Sequence, residues 1–330
     1  MAPKAAITLA IAFSAILTSA ATIDKRIIQG EDAKDGEIKF IVSLRDENRT
    51  HQCGGSLLDG HTVLTAAHCV EDAELVSVTA GTVDVKTAGV EAKIASFKKH
   101  PDFMVPEVLY PQDPWYEHDI AIVKLSTPIN ESNTIEYASL PPTGSDAMVN
   151  STAMAAGWGR QTPFSVANNP NLTHTAAKIL GKVVLLIHAR EDCAKYEGVG
   201  DRDTIICAGG EGENTCKGDS GGPLFDPKTG QLLGVTSLGT KINGEQCNRA
   251  PSLFTRIGSY IDFINKNLGS DSGSVPEYQP VDLQKPEKLH DKLSALFECV
   301  SRKVDPKDTD NTAREKAWKE CVKQQRIQNL

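Results

Sequence analysis

The stretch Gly218-Asp219-Ser220-Gly221-Gly222-Pro223 decides how this chain is read. It holds a serine in a tight, glycine-flanked turn. A free hydroxyl is a weak nucleophile, so chemistry at Ser220 needs a general base beside it and N–H donors aimed at the oxyanion that forms. Gly218 lets the backbone come close to a substrate carbonyl, and its amide together with that of Ser220 would supply two such donors. Alone, the stretch could be any glycine-rich turn.

A base and its orienter stand upstream. Thr65-Ala66-Ala67-His68-Cys69 sets a histidine after the apolar Val63-Leu64, and His118-Asp119-Ile120-Ala121-Ile122-Val123-Lys124-Leu125 sets a carboxylate at the mouth of a strand. Buried there, Asp119 would fix the His68 tautomer and stabilise the imidazolium formed when His68 takes the Ser220 proton. Taken singly, these residues read as a structural histidine and a solvated turn aspartate. The joint pattern favours catalysis.

In the order His, Asp, Ser the constellation resembles the chymotrypsin/trypsin family of serine proteases. The resemblance covers roughly Ile27 to Leu268, about 240 residues, and includes Cys53-Gly54-Gly55-Ser56-Leu57 and Ala156-Gly157-Trp158-Gly159. It implies an all-β fold of two packed six-stranded antiparallel barrels with the site between them, followed by a C-terminal helix. It also implies the triad His68, Asp119 and Ser220, an oxyanion hole of Gly218 and Ser220, and Ser237 bonded to the triad aspartate.

Composition agrees. The chain has 330 residues, 40% of them hydrophobic, enough for a large core. A net charge of -8 without any basic block argues against nucleic acid as a partner. Short apolar runs at 40–44, 62–65, 76–80, 120–125, 179–187 and 232–237 are punctuated by Gly, Pro and Asn, as in an all-β protein. The pattern alone says all-β and no more.

Lys4 precedes an apolar run over 5–17 that is short for a membrane span and ends in small residues, so residues 1–20 read as a cleaved secretory signal. Sequons at Asn48, Asn130, Asn150 and Asn171 fit glycosylation in that pathway. Eight cysteines in a secreted chain imply disulfides rather than metal, and paired CxxC spacing is absent. Sequence leaves the connectivity open; the family resemblance pairs Cys53 with Cys69, Cys193 with Cys207, and Cys216 with Cys247. No cofactor is required, and no convincing pair of Glu residues for a calcium loop follows Gly81. Apart from His68 the histidines read as surface or structural, with the His118 side chain turned away from the site.

Residues 21–26 end in Lys25-Arg26, ahead of Ile27-Ile28-Gln29-Gly30. In the family, cleavage at such a place frees an α-amino group that pairs with the aspartate before the nucleophile, here Asp219. Uncleaved, the chain should leave Asp219 unsatisfied and Gly218 misplaced. Six positions before the nucleophile, at the base of the family's specificity pocket, stands Asn214 rather than the aspartate of trypsin. Gly239 should leave one pocket wall open, Ser252 should make the pocket shallower, and Leu238 replaces a tryptophan usual on that strand. A neutral, partly polar pocket points to Leu, Phe, Tyr, Met or Gln before the scissile bond.

Past Leu268 the resemblance stops. Residues 269–286 read as a linker rich in Gly, Ser and Pro. In 287–330, Leu289, Leu293, Leu296, Phe297 and Val300, then Ala317, Trp318, Cys321 and Val322, fall at helical spacing. They suggest a small helical hairpin closed by Cys299 and Cys321. The expected function is a secreted serine endopeptidase acting through an acyl-enzyme and activated by cleavage after Arg26. Its expected partners are protein or peptide substrates, an activating processing protease and protein inhibitors, with no membrane span once the signal is removed. Two other readings stay open: a catalytically weak protease-fold binding or inhibitor protein, and an interaction protein acting through the tail.

Overall fold

The computed structural model describes residues 27–28, 30–71, 74–104, 116–160, 177–195, 202–242, 245–247 and 249–269, and, further on, 298–299, 302–303 and 321. The expected signal peptide, the propeptide with Arg26, the sequon at Asn171 and most of residues 270–330 lie outside them.

Six strands close the first barrel: β2 (Ile41–Asp46), β3 (His51–Asp59), β4 (Thr62–Thr65), β5 (Leu75–Ala80), β6 (Val90–Lys99) and β7 (Ala121–Leu125). They pair antiparallel in the order β2-β3-β4-β7-β6-β5. Alternation explains the closure. On β2, Val42 and Leu44 point to the interior and are fully buried, and they meet Ala80 and Val78 of β5 in register. Val63 and Val123, opposite each other across the β4–β7 pair, complete that interior.

The second barrel consists of β8 (Thr152–Gly157), β9 (Gly181–His188), β10 (Ile205–Ala208), β11 (Pro223–Phe225), β12 (Leu232–Gly239) and β15 (Ser252–Arg256). The order β9-β10-β15-β12-β11-β8 is closed by a β8–β9 pairing, and β1 (Glu31–Asp32) adds to the edge of β9. On β9, Val183, Leu185 and Ile187 face the core while Val184 and Leu186 face out, the period-two pattern of a strand wet on one side. A small ribbon of β13 (Lys241–Ile242) and β14 (Glu245–Gln246) stands beside β12 in sequence. The helices of this unit are short: α1 (Arg190–Cys193) and the C-terminal α2 (Ile261–Asn265), whose Ile261 and Ile264 pack into the core.

The chain divides into two compact units, Met1–Ser270 and Asp271–Leu330. In the second, the described residues 298–299, 302–303 and 321 are helical, and Cys299 is bonded to Cys321. Cys53–Cys69, Cys193–Cys207 and Cys216–Cys247 are the other disulfides. Asn48, Asn130 and Asn150 are exposed. Among the described residues, no helix is long and apolar enough to cross a membrane.

Candidate active site

His68 opens a short 3-10 turn three residues past the end of β4, and Asp119 lies two residues before β7, the neighbour of β4. Strand pairing therefore brings together residues separated by 51 positions. His68 Nδ1–H donates to Asp119 Oδ2 at 2.8 Å, and the His68 backbone amide donates to Oδ1 at 2.9 Å. Ser237 Oγ adds a third bond to Oδ2 at 2.6 Å. Asp119 is 1% exposed. Burial alone would raise its pKa, but His68 and the hydrogen bonds from His68 and Ser237 outweigh burial and hold the carboxyl below its ordinary value. Both His68 nitrogens are thereby assigned: Nδ1 carries the proton, leaving Nε2 as acceptor.

Ser220 and His68 line one open cleft together with Tyr116, Thr215 and Gly239. The Ser220 hydroxyl makes no hydrogen bond to a described residue, so the two share the cleft wall without being joined; such bonds often tighten only around substrate. Gly218 has φ +99°, a conformation open to glycine, and Gly221 has φ +76° with no room for a Cβ between Thr65 and the Gly54 carbonyl. Neither the Gly218 nor the Ser220 amide donates to another described residue. They are the uncommitted donors that an oxyanion hole requires.

His51, read in the sequence only as surface or structural, holds this loop from β3. Its Nε2–H donates to the Gly218 carbonyl at 2.8 Å, and its Nδ1 accepts from Ser43 Oγ at 2.8 Å. Burial lowers its pKa to about 4, so the ring is neutral. Tyr116 was passed over in the sequence. Its ring stacks on His68 with centroids 4.7 Å apart and an 8° interplanar angle. His118 instead meets Tyr260, Nδ1 to hydroxyl at 3.1 Å.

Asp219 is fully buried and accepts from the Gly159 amide at 2.7 Å and the Cys216 amide at 2.8 Å. Burial nonetheless raises its pKa to about 7, and no cation pairs with it among the described residues. Ile27 is fully buried in the second core with Val183 and Phe254, and Ile28 exchanges backbone hydrogen bonds with Asn214 at 3.2 and 3.3 Å. Two features thus differ from the expectation for an uncleaved chain. Asp219 has hydrogen-bond partners, because the Gly157–Gly159 backbone packs against its carboxylate, and Gly218 is held in place by His51.

The residues expected at the pocket base form a closed network. Asn214 Nδ2 donates to the Ala250 carbonyl at 2.5 Å, its Oδ1 accepts from Ser252 Oγ, and Thr215 Oγ1 donates to Ser252 Oγ at 2.8 Å. Asn214 and Ser252 are fully buried, and the cleft is lined instead by Thr215, Thr236, Ser237, Leu238 and Gly239. A Cβ on Gly239 would meet nothing within 4 Å, so that wall is open. The one His/Cys grouping close enough to hold a metal among the described residues is Cys53, His68 and Cys69, and its sulfurs are joined in a disulfide.

Comparison with known proteins matches residues 27–264 to the model of the trypsin family. Chymotrypsin-C of Rattus norvegicus is 31% identical over 259 residues, covering 74% of this chain and 90% of the relative. Among solved structures, neuropsin, a serine protease expressed in the limbic system of mouse brain, is 26% identical with a TM-score of 0.61, covering 73% of this chain and 99% of that one. Twin closed barrels, a buried Asp–His pair beside a serine cleft and a family match across 27–264 agree: the chain belongs to the trypsin family of serine proteases.

Proposed function

We propose that the protein is a secreted serine endopeptidase, made as a precursor and activated by cleavage after Arg26. The observation that carries this reading is the hydrogen bond from His68 Nδ1–H to buried Asp119, set beside the cleft that His68 and Ser220 line. Ser220 attacks the scissile carbonyl while His68 Nε2 takes its proton. The amides of Gly218 and Ser220 receive the oxyanion, and His68 returns the proton to the leaving amine. Water then repeats the sequence on the acyl-enzyme. Substrate residues with uncharged side chains fit before the scissile bond, since the described pocket base offers no counter-charge. Secretion rests on the N-terminal apolar segment and the four disulfides.

The test is labelling of the cleaved protein with a fluorophosphonate. Wild type should be labelled and Ser220→Ala should not, with peptide hydrolysis falling by roughly 10⁴-fold or more. Labelling that survives the substitution would remove Ser220 from its role.

A further inference from the structure

Among the described residues, four buried polar side-chain atoms have no hydrogen-bond partner: Arg45 Nη2, Ser77 Oγ, Thr79 Oγ1 and Thr236 Oγ1. The first three share one face of the first barrel. Arg45 stands opposite Ser77 across the β2–β5 pair, and Ser43 stands opposite Thr79. Val42 and Leu44 occupy the inner face of β2, so this cluster lies on the outer one. It is nevertheless covered, with Arg45 6% exposed and Ser77 and Thr79 2% each.

The neighbouring hydrogen bonds show which donors are spent. A carbonyl only accepts, so His51 Nε2–H gives to Gly218 O and His51 Nδ1 must accept the Ser43 hydroxyl proton. Arg45 Nε–H gives to Ser43 Oγ at 3.3 Å. Left over are the Nη2 protons and two hydroxyls, all able to donate. The charge is also unbalanced. Glu91, opposite Thr79 on β6, is paired with Arg49 at 3.5 Å, so one carboxylate serves two guanidiniums, and exposed Lys93 stands opposite Ser77. Burial holds the Arg45 guanidinium below its ordinary pKa and Glu91 offsets this only in part, so a water molecule would satisfy the hydrogen bonds but add no second counter-charge, whereas an anion would do both.

We propose that Arg45, Ser77 and Thr79 bind one small anion of chloride size within the outer face of the first barrel. The ion takes one donor from the guanidinium and one from each hydroxyl. By holding the far end of the guanidinium it keeps Nε on Ser43. The bonds from Ser43 to His51 and from His51 to Gly218 then carry its occupancy to the oxyanion loop.

The experiment follows thermal unfolding of full-length Ser220→Ala protein as chloride replaces gluconate at constant ionic strength, so it does not depend on activity. Chloride should raise Tm saturably, by roughly 3–6 °C at about ten times its Kd, and Arg45→Met should abolish the response. If Arg45→Met fails to fold, Ser77→Ala with Thr79→Val replaces it, and bromide-soaked crystals of the parent should show an anomalous peak beside Arg45. No chloride response in the parent, an equal response in the variant, or water alone beside Arg45 would each overturn the site.

Discussion

At the scale of single residues, Asn214 is locked into a buried hydrogen-bond network behind the cleft wall. Its amide gives a proton to the Ala250 carbonyl while its carbonyl receives the Ser252 hydroxyl. An aspartate there would set a carboxylate oxygen against a carbonyl oxygen with no solvent between them. Asn214→Asp should therefore lower stability by roughly 2–3 kcal/mol in urea unfolding, the cost of a buried acceptor that has lost its donor. It should shift preference toward arginyl and lysyl substrates only in part, because the new charge is hidden behind Thr215 rather than on the cleft wall. Full stability together with trypsin-like selectivity would contradict this reading of the network.

At the scale of elements, β12 shows how a strand irregularity makes a site. Its register against β15 slips between Thr236 and Leu238, so Ser237 is the extra residue of a bulge. A bulge re-aims a side chain, and here the hydroxyl reaches Asp119. Ser237→Ala should cut kcat/KM roughly ten-fold, through a less firmly held Asp119, with the fold intact by circular dichroism. No loss of activity would leave that bond without a catalytic role. The bulge was not legible in the sequence, which reads 232–237 as a plain apolar run. Motifs such as 218–223 and the His68 and Asp119 stretches were legible because their residue types are chemically unusual where they stand. His51 and Tyr116 were not, since their roles come from strand register and stacking across the cleft rather than from local pattern. Asn214 was legible as a neutral residue where trypsin carries aspartate, but its closure by Ala250 depends on a contact 36 positions away.

At the scale of the whole molecule, activation should be readable as a change in pH dependence. In the uncleaved chain Asp219 titrates near 7 instead of 3.8, so the folded state keeps a proton that the unfolded state has lost. Its contribution is full below 3.8 and disappears as pH rises toward 7. His51 works in the opposite sense: its folded pKa of about 4, against 6.5, gives stability that is present above 6.5 and lost toward 4. In the precursor the two largely cancel between pH 4 and 6.5, whereas cleavage after Arg26 alters only one of them. A new ammonium at Ile27 should pair with ionised Asp219 and remove its burial penalty. The stability difference between cleaved and uncleaved Ser220→Ala protein should thus grow as pH rises from 4 to 7, reaching on the order of 4 kcal/mol. A difference that stays flat over that interval would mean the released amine does not reach Asp219. With no counter-charge for arginine in the described pocket base, wild-type precursor incubated alone should stay uncleaved. A protease that reads Lys25-Arg26 should yield an N-terminus at Ile27, the residue whose side chain already fills its place in the second core. Cleavage then need not rebuild the barrel. Under the proposed activation, it would supply the single charge that Asp219 lacks among the described residues.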